Sequence, residues 1–355
     1  MLRLLITPFL LPLFFLNLFF LPLSCRAAGL TVMSYNVENL FDDVHNGTEF
    51  REFDPSKGQW NTEFFNLRTD TIAEVVRKSV PGGPDILLLQ EVENVNALHA
   101  LVDKGLAGLG YAWIAFVPKK GLAANVAIVS RLLIRAVHSW AVEPWKGTTP
   151  LRDIVEAEIE VEGHVLHVLD NHWKAKTEGS KATEQSRRDC AAVLGARIRE
   201  LLAQDPAADI IAAGDFNENL DEYAQTGRKY QTALLPEGES SPALAPLQSI
   251  FVAGNLRGLG ASGDRLVLYD PWFEIDASRR GSYYYQKGWL TFDHMLLSPG
   301  LFDAQGFSYT WGSFAPVRLA FLLAPGGVPR KWSGLAGERG YSDHLPLLLT
   351  LDVKR

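Results

Sequence analysis

Residues 34–42 have the sequence SYNVENLFD and follow an apolar, β-branched run that begins at Thr31. The run Thr31–Tyr35 predicts a β-strand, because such side chains pack well on a pleated surface. Asn36 and Glu38 then bring an amide and a carboxylate to the point where this strand ends. Loops beside rigid strands are where functional groups are commonly mounted, so the stretch predicts a core strand and one part of a site.

The same arrangement of an apolar run bordered by a short polar cluster recurs along the chain. Asp85–Leu89 is almost continuously apolar, which is typical of a strand buried on both faces. Side chains at several strand ends can converge on one rim of a sheet, where carboxylate and amide oxygens suit a hard cation such as Mg²⁺. The remaining predicted strands are Ala124–Ser130, Ile154–Val161, His164–Leu169, Asp209–Ala213, Phe292–Leu297 and Leu345–Leu351, and the later polar clusters are Gln90-Glu91, Asn171-His172, Asp215-Phe216-Asn217, Asp293-His294 and Ser342-Asp343-His344.

Two amphipathic stretches predict helices between these strands, Phe64–Ser79 and Ala182–Leu202. The alternation of strands and helices predicts an α/β fold. Neither an internal repeat nor a Pro-, Gly- or Ser-rich linker divides the chain, so residues 28–355 are expected to form a single domain. The Gly- and aromatic-rich stretch Thr226–Gly288 predicts long surface loops.

Composition narrows the class of protein. The chain has 355 residues, of which 47% are hydrophobic and 21% are charged, and this excludes a disordered or fibrous protein. With a formal net charge of −7, the protein lacks the positive electrostatic field of a typical nucleic-acid-binding domain. An enzyme of this charge that acts on a polyanion would need a local basic strip or metal ions. Cys25 and Cys190 are the two cysteines, which predicts a fold without an internal disulfide.

The N-terminus predicts a signal peptide. Arg3 precedes an apolar run from Leu4 to Leu23, and small residues at Cys25 and Ala27 suit a cleavage site. The run is long enough to span a bilayer, so an uncleaved anchor is the alternative, although three prolines disfavour a continuous helix. We therefore expect residues 1–27 to be removed, leaving a secreted or periplasmic protein without a transmembrane helix.

Six short motifs, taken together and in order, resemble the endonuclease/exonuclease/phosphatase superfamily, which includes nucleases, inositol-phosphate phosphatases and sphingomyelinases. The resemblance runs from about Thr31 to the C-terminus, and the opening motif together with residues 281–285, GSYYY, is similar to a bacterial branch of exported members. The motifs are SYNVENLFD (34–42), LQEVEN (89–94), NHW (171–173), GDFN (214–217), FDH (292–294) and SDH (342–344).

The resemblance implies a four-layer sandwich of two mixed β-sheets flanked by helices, and metal-dependent hydrolysis of a phosphoester with Mg²⁺, or Mn²⁺ or Ca²⁺ in its place. It also implies a role for each motif residue. Glu91 would be the principal metal ligand, assisted by Asn36, Glu38 and Asp343. Asp215 would orient or deprotonate the attacking water, and Asn217 would hold a phosphate oxygen. His344, fixed by Asp293, would contact the phosphate or act as a general base, and His172 would donate to the phosphate or protonate the leaving oxygen.

Three basic residues are candidates for binding flanking phosphates: Arg152, Lys174 and Arg188. A guanidinium pairs with phosphate through two hydrogen bonds and a lysine supplies a point charge, whereas a solvated surface charge is the alternative for each. The chain departs from the family's usual pattern at Trp173-Lys174, where Leu-Lys is more common, and at Glu38, where some relatives have aspartate.

The expected substrate is nucleic acid, acted on by a monomer without a stable protein partner. The aromatic stretch Tyr269–Trp289 suggests stacking of bases. A phosphomonoester or sphingomyelin as substrate is the closest alternative, because a fold does not fix the substrate. A zinc hydrolase using His164, His167 and His172 is disfavoured, since His164 and His167 would point to opposite faces of one strand. A binding module without catalysis is disfavoured because every motif residue is present.

Overall fold

The computed structural model describes residues 29–144, 150–333 and 340–354. The predicted signal peptide, residues 1–27, lies outside the described residues and stays a prediction. Within the described ranges, the helices are too short or too polar to cross a membrane.

Strands account for most of the regular structure. In chain order they are β1 (Leu30–Leu40), β2 (Ile86–Val92), β3 (Trp113–Phe116), β4 (Asn125–Ser130), β5 (Leu133–Trp140), β6 (Ile154–Val161), β7 (His164–His172), β8 (Asp209–Asp215), β9 (Leu234–Pro236), β10 (Ile250–Ala253), β11 (Gly260–Ser262), β12 (Arg265–Tyr269), β13 (Tyr283–Tyr285), β14 (Gly288–Leu290), β15 (Asp293–Leu297), β16 (Phe307–Tyr309), β17 (Ala315–Pro316) and β18 (Leu347–Val353).

The helices are fewer, and two of them are long. They are α1 (Thr62–Ser79), α2 (Val95–His99), which continues into a π-helical segment (Ala100–Gly105), α3 (Ser180–Gln204) and α4 (Glu222–Gln225). Short 3₁₀ turns occupy Arg51–Phe53, Pro55–Lys57, Lys176–Glu178, Pro246–Gln248, Pro271–Glu274, Ala277–Arg279, Pro299–Phe302 and Ala320–Leu322.

The strands form two large mixed sheets. The first has the order β16-β18-β1-β2-β4-β3, with β17 also on β18, and the second has the order β5-β6-β7-β8-β15-β12-β10-β9, with β11 also on β12. In the first sheet β1 and β2 are parallel, and in the second β7 and β8 are parallel. The neighbours β18 and β15 run antiparallel to β1 and β8, so they begin at the edge where those strands end.

Three apolar clusters show how the layers are stacked. Val32, Leu88 and Leu349 of the first sheet share one cluster with Val168 and Ala213 of the second, so this cluster fills the space between the sheets. The outer face of the first sheet packs on α1 and the π-helical segment, and the outer face of the second packs on α3. This order of helix, sheet, sheet and helix confirms the predicted four-layer α/β sandwich.

The prediction for Thr226–Gly288 was wrong. Strands β9, β10 and β12 lie in this stretch and extend the second sheet, and Ile250–Ala253 is entirely buried. Strands of three to five residues are too short to show a periodic pattern between glycines and turns, so their pairing is set by the sheet they join. Strands β3 and β5 were not predicted from the sequence either, although the side chains of β5 alternate in burial along its length.

Asp209, at the start of β8, carries a carboxyl group that the fold holds away from water. Its Oδ2 accepts a hydrogen bond from the Phe307 amide at 2.9 Å, while Oδ1 is buried without a hydrogen-bond partner. Burial, together with Asp303 and Asp205, raises the pKa of Asp209 to about 7. The folded protein therefore keeps this proton at pH values where the unfolded chain has released it.

Replacing Asp209 by asparagine is expected to stabilise the protein in a pH-dependent way. Between about pH 4 and 7 the unfolded state releases the proton first, so the wild-type free energy of unfolding falls as pH rises. The Asp209→Asn variant keeps an acceptor for Phe307 and carries no charge. We expect it to exceed the wild type by on the order of 2 kcal/mol at pH 8 and to match it at pH 4. Urea denaturation at both pH values measures this, and an equal difference at both would contradict the assignment.

Candidate active site

The ends of six strands meet at one edge of the sandwich and bring the predicted polar clusters together. The backbone there leaves regular strand geometry: the β1–β2 pairing shifts between Asn36 and Leu40, and Glu38 and Glu91 have φ values of 50° and 69°. Such left-handed conformations are costly for residues other than glycine and occur where the surrounding structure imposes them. These conformations interrupt the alternation of side chains along the strands, and they turn the side chains toward the gap between the sheets.

Asn36 joins the two sheets at this edge. Its Nδ2 donates to Glu91 Oε1 at 3.2 Å in the first sheet and to Asp215 Oδ2 at 3.0 Å in the second. Its Oδ1 accepts a hydrogen bond from the Glu38 amide at 3.0 Å, so both ends of the side-chain amide are in use. One buried amide therefore fixes the spacing between two acidic groups from different sheets.

His344 and Asp293 form a buried pair beside Asp215. His344 Nδ1 lies 2.9 Å from Asp293 Oδ2, which also accepts a hydrogen bond from the Ser282 hydroxyl. His344 Nε2 points toward Asp215 Oδ2 at 3.8 Å. Asp293 and Asp215 raise the pKa of His344 well above its ordinary value against the opposing effect of burial. The raised pKa favours the imidazolium form of His344, which suits contact with a phosphate better than the role of general base.

Asp215 is the group best suited to accept a proton from water. Its Oδ1 accepts the Asn217 amide at 2.8 Å, and Oδ2 faces Asn36, His172 and His344. Burial raises the pKa of Asp215 to about 7, with His344 opposing and Asp293 adding to the shift. A general base is most effective when its pKa lies near the working pH.

His172 faces the same space in its neutral form. Its Nε2 lies 3.6 Å from Asp215 Oδ2 and 3.8 Å from Glu91 Oε1, and its Nδ1 is buried without a hydrogen-bond partner. Burial, with Arg152 and His344 nearby, lowers the pKa of His172 well below its usual value. A neutral ring keeps one N–H to donate, which fits a hydrogen bond to a phosphate oxygen better than protonation of a leaving group.

The acidic side of the site gathers Glu38, Glu91 and Asp343. Glu38 Oε2 accepts the amides of Trp332 at 2.6 Å and Asp343 at 2.9 Å, so this oxygen holds the backbone while the other remains for a ligand. Burial and Asp343 raise the pKa values of both glutamates, that of Glu38 to about 8. Carboxylates that oppose each other's ionisation in this way suit a divalent cation, and oxygen donors are the set that Mg²⁺ or Mn²⁺ prefers.

Arg68, on α1, was not predicted as a site residue, and it supports the acidic side of the site. Its guanidinium is fully buried and donates to the carbonyl oxygens of Glu38 at 3.1 Å, Asn39 at 3.1 Å and Tyr341 at 2.6 Å. It thus fixes the two backbone segments that carry Glu38 and Asp343. The available signal was a charged residue on the apolar face of the predicted helix, between Phe65 and Ile72.

A second buried network supports the Asp215–Asn217 turn. Arg187 Nε donates to Glu218 Oε2 at 2.6 Å, and the same guanidinium bonds to Glu184. His294 Nε2 lies 2.9 Å from the Glu218 carbonyl oxygen, while its Nδ1 pairs with Asp270 at 2.8 Å. This network ties the turn to α3 and β15, so the turn is rigid although it lies at a strand end.

The three predicted phosphate-binding residues have different surroundings. Arg152 Nε donates to the Ala124 carbonyl at 3.0 Å. Burial lowers the pKa of Arg152, and the negative charges of Glu91 and Asp215 oppose that shift. Lys174 pairs with Glu178 at 2.7 Å, and Arg188 on α3 bonds to Gln248. In the described part of the chain, only Arg152 of the three interacts with the acidic groups of the site.

Among the residues that the structure describes, three groups of acidic and histidine side chains have the spacing of metal ligands. Asp215, Asp293 and His344 form one, but His344 uses Nδ1 for Asp293 and its raised pKa keeps it protonated. Glu156, Glu158 and His167 form another, in which Arg197 and Arg135 already balance the two carboxylates. The third is His45, Glu49 and Asp54. The disfavoured zinc site fails on geometry, because His167 pairs with Glu156 whereas His172 lies at the end of β7.

Comparisons with known proteins place the chain in a wider group. The model of the endonuclease/exonuclease/phosphatase family matches residues 31–235. Among solved structures, TDP2 from Caenorhabditis elegans is 18% identical, with 92% of this chain and 74% of that chain covered and a TM-score of 0.52. TDP2 from D. rerio, complexed with a single strand DNA product, is 15% identical, with 92% and 100% covered and a TM-score of 0.51.

A phosphatase has a similar fold. The mannosyl-6-phosphatase from Bacteroides thetaiotaomicron is 19% identical, with 91% of this chain and 99% of that chain covered and a TM-score of 0.51. At these identities the likeness concerns the fold. No curated protein matches the chain in sequence.

Asp293→Asn is expected to lower turnover of a phosphoester substrate roughly 10²- to 10⁴-fold, because His344 loses the carboxylate that keeps it charged and oriented. Asparagine can still accept from Ser282, so the unfolding midpoint should stay close to that of the wild type. Steady-state kinetics measure the loss. Asp209→Asn is the matched control, because it makes the same substitution at a buried position at the opposite end of β8. Equal activity of the two variants would refute the role of Asp293.

Proposed function

This chain belongs to the endonuclease/exonuclease/phosphatase family, and we propose that it hydrolyses phosphodiesters of nucleic acid with a divalent metal ion. The family's members are metal-dependent phosphoester hydrolases. The observation that carries the proposal is the meeting of His344, His172 and Asp215, with 3.6 to 3.8 Å between each ring Nε2 and Asp215 Oδ2, beside the acidic group of Glu91 and Asp343.

Each residue supplies one requirement of phosphoester hydrolysis. Asp215 takes a proton from the attacking water, and its place in the second sheet is set by Asn36 and Asn217. His344 balances charge on the phosphate oxygens, and His172 donates a hydrogen bond to the same group. The Asn217 side chain is fixed near these groups, because its Nδ2 donates to the Trp173 carbonyl at 3.2 Å, and the second Nδ2 hydrogen can donate to a phosphate oxygen.

Asn36, Glu91 and Asp343, with the second oxygen of Glu38, would hold the divalent ion. Such an ion stabilises charge that develops on phosphoryl and leaving oxygens. Mg²⁺ is the ion that we propose, because every donor on this side is oxygen, and Mn²⁺ has similar requirements. Arg68 and Arg152 partly offset the negative charge of these carboxylates.

Nucleic acid is the proposed substrate because aromatic side chains border the site. Tyr283 packs 4.5 Å from the His344 ring, and Tyr285 next to it on the same hairpin is 55% exposed. Exposed rings beside a phosphate site offer stacking surfaces for bases. The cations near the site are largely paired, as Lys174 with Glu178 and Lys176 with Glu222, which favours a short or single-stranded substrate over a long duplex.

A small phosphomonoester is the second candidate, and the same pairing of cations favours it. Without a strip of unpaired basic residues, the site gains little binding free energy from the phosphates of a polyanion other than the scissile one. The assay below includes such substrates.

We also propose that the protein acts outside the cytoplasm, on the strength of the apolar run Leu4–Leu23 and the cleavage signal before Ala28. N-terminal sequencing of exported protein checks this, and retention of residues 1–27 would contradict it.

An EDTA-reversible hydrolysis assay tests the proposed function. Purified protein with Mg²⁺ or Mn²⁺ is expected to cleave single-stranded DNA or RNA, to lose activity with EDTA and to regain it when metal is restored. His344→Ala and Asp215→Ala should each reduce the rate by at least roughly 10²-fold while the fold persists, because each removes a group that acts on the phosphate or the water.

The substrate panel separates the alternatives. It includes plasmid DNA, single-stranded DNA, RNA, sphingomyelin and several sugar phosphates. Activity confined to a monoester or a lipid would replace the proposed substrate while keeping the site. Full activity in His344→Ala would refute the site itself, and silence on the whole panel would refute the proposed enzyme.

A further inference from the structure

A cavity of about 690 Å³ opens beside the candidate site, between the loop that follows β7, the Asn217–Gln225 region and the β13–β14 hairpin. We propose that this cavity binds one unpaired nucleoside attached to the scissile phosphate. The inference rests on the proposed function and deepens it, because it assigns the unit that the enzyme recognises next to the reacting group.

One wall of the cavity is an array of nearly parallel aromatic rings. Phe292 and Tyr283 have ring centroids 5.3 Å apart and planes inclined by 15°, and Tyr283 and Tyr285 are 6.4 Å apart, also at 15°. Tyr283 also packs against His344, so the array begins at the catalytic group and ends at the exposed Tyr285. A planar base can extend such an array, because every base has a face that stacks on an aromatic ring.

The rest of the cavity is mostly polar and carries no net positive charge. Thr177 and Ser180 line it with hydroxyl groups, and the ammonium of Lys176 is bonded to Glu222 at 2.6 Å. The same ammonium lies 4.6 Å above the Phe292 ring. A second phosphate would find its nearest cation already neutralised, so the occupant is expected to be the uncharged part of a nucleotide.

Asn217 connects the cavity to the reacting group. It lines the cavity and also holds Asp215 through its backbone amide at 2.8 Å. A unit in the cavity is therefore directly next to a phosphate bound by His344 and His172. A base that is paired in a duplex is stacked between its neighbours and is not free to lie on Tyr285, which predicts a preference for single strands or frayed ends.

Variants at Tyr285 test the proposal. Dithymidine monophosphate and analogues that lack one base are the probes, with hydrolysis measured in the Mg²⁺-loaded protein and binding measured by calorimetry in EDTA. Tyr285→Ala is expected to raise KM for the dinucleotide and to weaken its binding roughly tenfold to a hundredfold, with little change for the analogue without the stacked base. Tyr285→Phe should behave like the wild type, because it keeps the ring.

Trp311→Ala is the matched control. Trp311 is also 55% exposed, but it packs with Phe302 and Tyr309, away from the cavity. Dinucleotide binding by Tyr285→Ala within about twofold of the wild type would overturn the proposal, as would tighter binding of a hexose phosphate than of the dinucleotide. If the wild type hydrolyses nothing, the proposed function fails, but calorimetry still tests the proposed nucleoside-binding cavity. Dinucleotide binding that is lost only in Tyr285→Ala supports the cavity proposal, and no dinucleotide binding to the wild type refutes it.

Discussion

The side-chain amide of Asn36 is the contact on which the site depends, because it spans the gap between the two sheets. Its Nδ2 reaches Glu91 in one sheet and Asp215 in the other, at 3.2 and 3.0 Å. Most side chains between the sheets are apolar, and a buried amide or carboxylate without a partner costs on the order of 1–3 kcal/mol. A second polar link below it, from Gln90 to Asp170 at 2.6 Å, joins the same sheets. The apolar core brings the sheets together, and these polar links set the register between them at the edge where the chemistry is proposed.

Charge divides this edge into two sides with different properties. On one side Asp343 opposes the ionisation of Glu38 and Glu91, and the buried cations Arg68 and Arg152 partly offset the charge of these carboxylates. A divalent ion bound there would neutralise more of that charge. On the other side Asp293 keeps His344 charged, and that charge in turn limits how far burial raises the pKa of Asp215. The pKa of each group thus follows from its neighbours. The division separates the groups that would hold a metal from those that would act on water and phosphate.

The sequence was sufficient for the architecture and for the order of the polar clusters, because long apolar runs and short motifs are local signals. Asn36, Glu91, Asp215 and His344 meet as expected since each lies at a strand end that points to the same edge. Arg68 could not be assigned, because its partners are backbone carbonyls from residues 38, 39 and 341, which only the fold brings near α1. Arg188 was predicted to bind phosphate, but in the packed helix α3 it bonds to Gln248. Its neighbour Arg187, which was not predicted, supports the Asp215–Asn217 turn. The strands within Thr226–Gly288 were missed because they are too short to show a period before they pair.

The position of a bound metal ion tests the central claim most directly. Anomalous diffraction from crystals of the protein soaked with Mn²⁺ would locate the ion without relying on activity. The account predicts one strong peak in contact with Glu91, with oxygen atoms of Asn36 or Asp343 completing the set and His344 outside it. A peak coordinated by Asp215, Asp293 and His344, with none beside Glu91, would contradict the division of the edge into a metal side and a phosphate side.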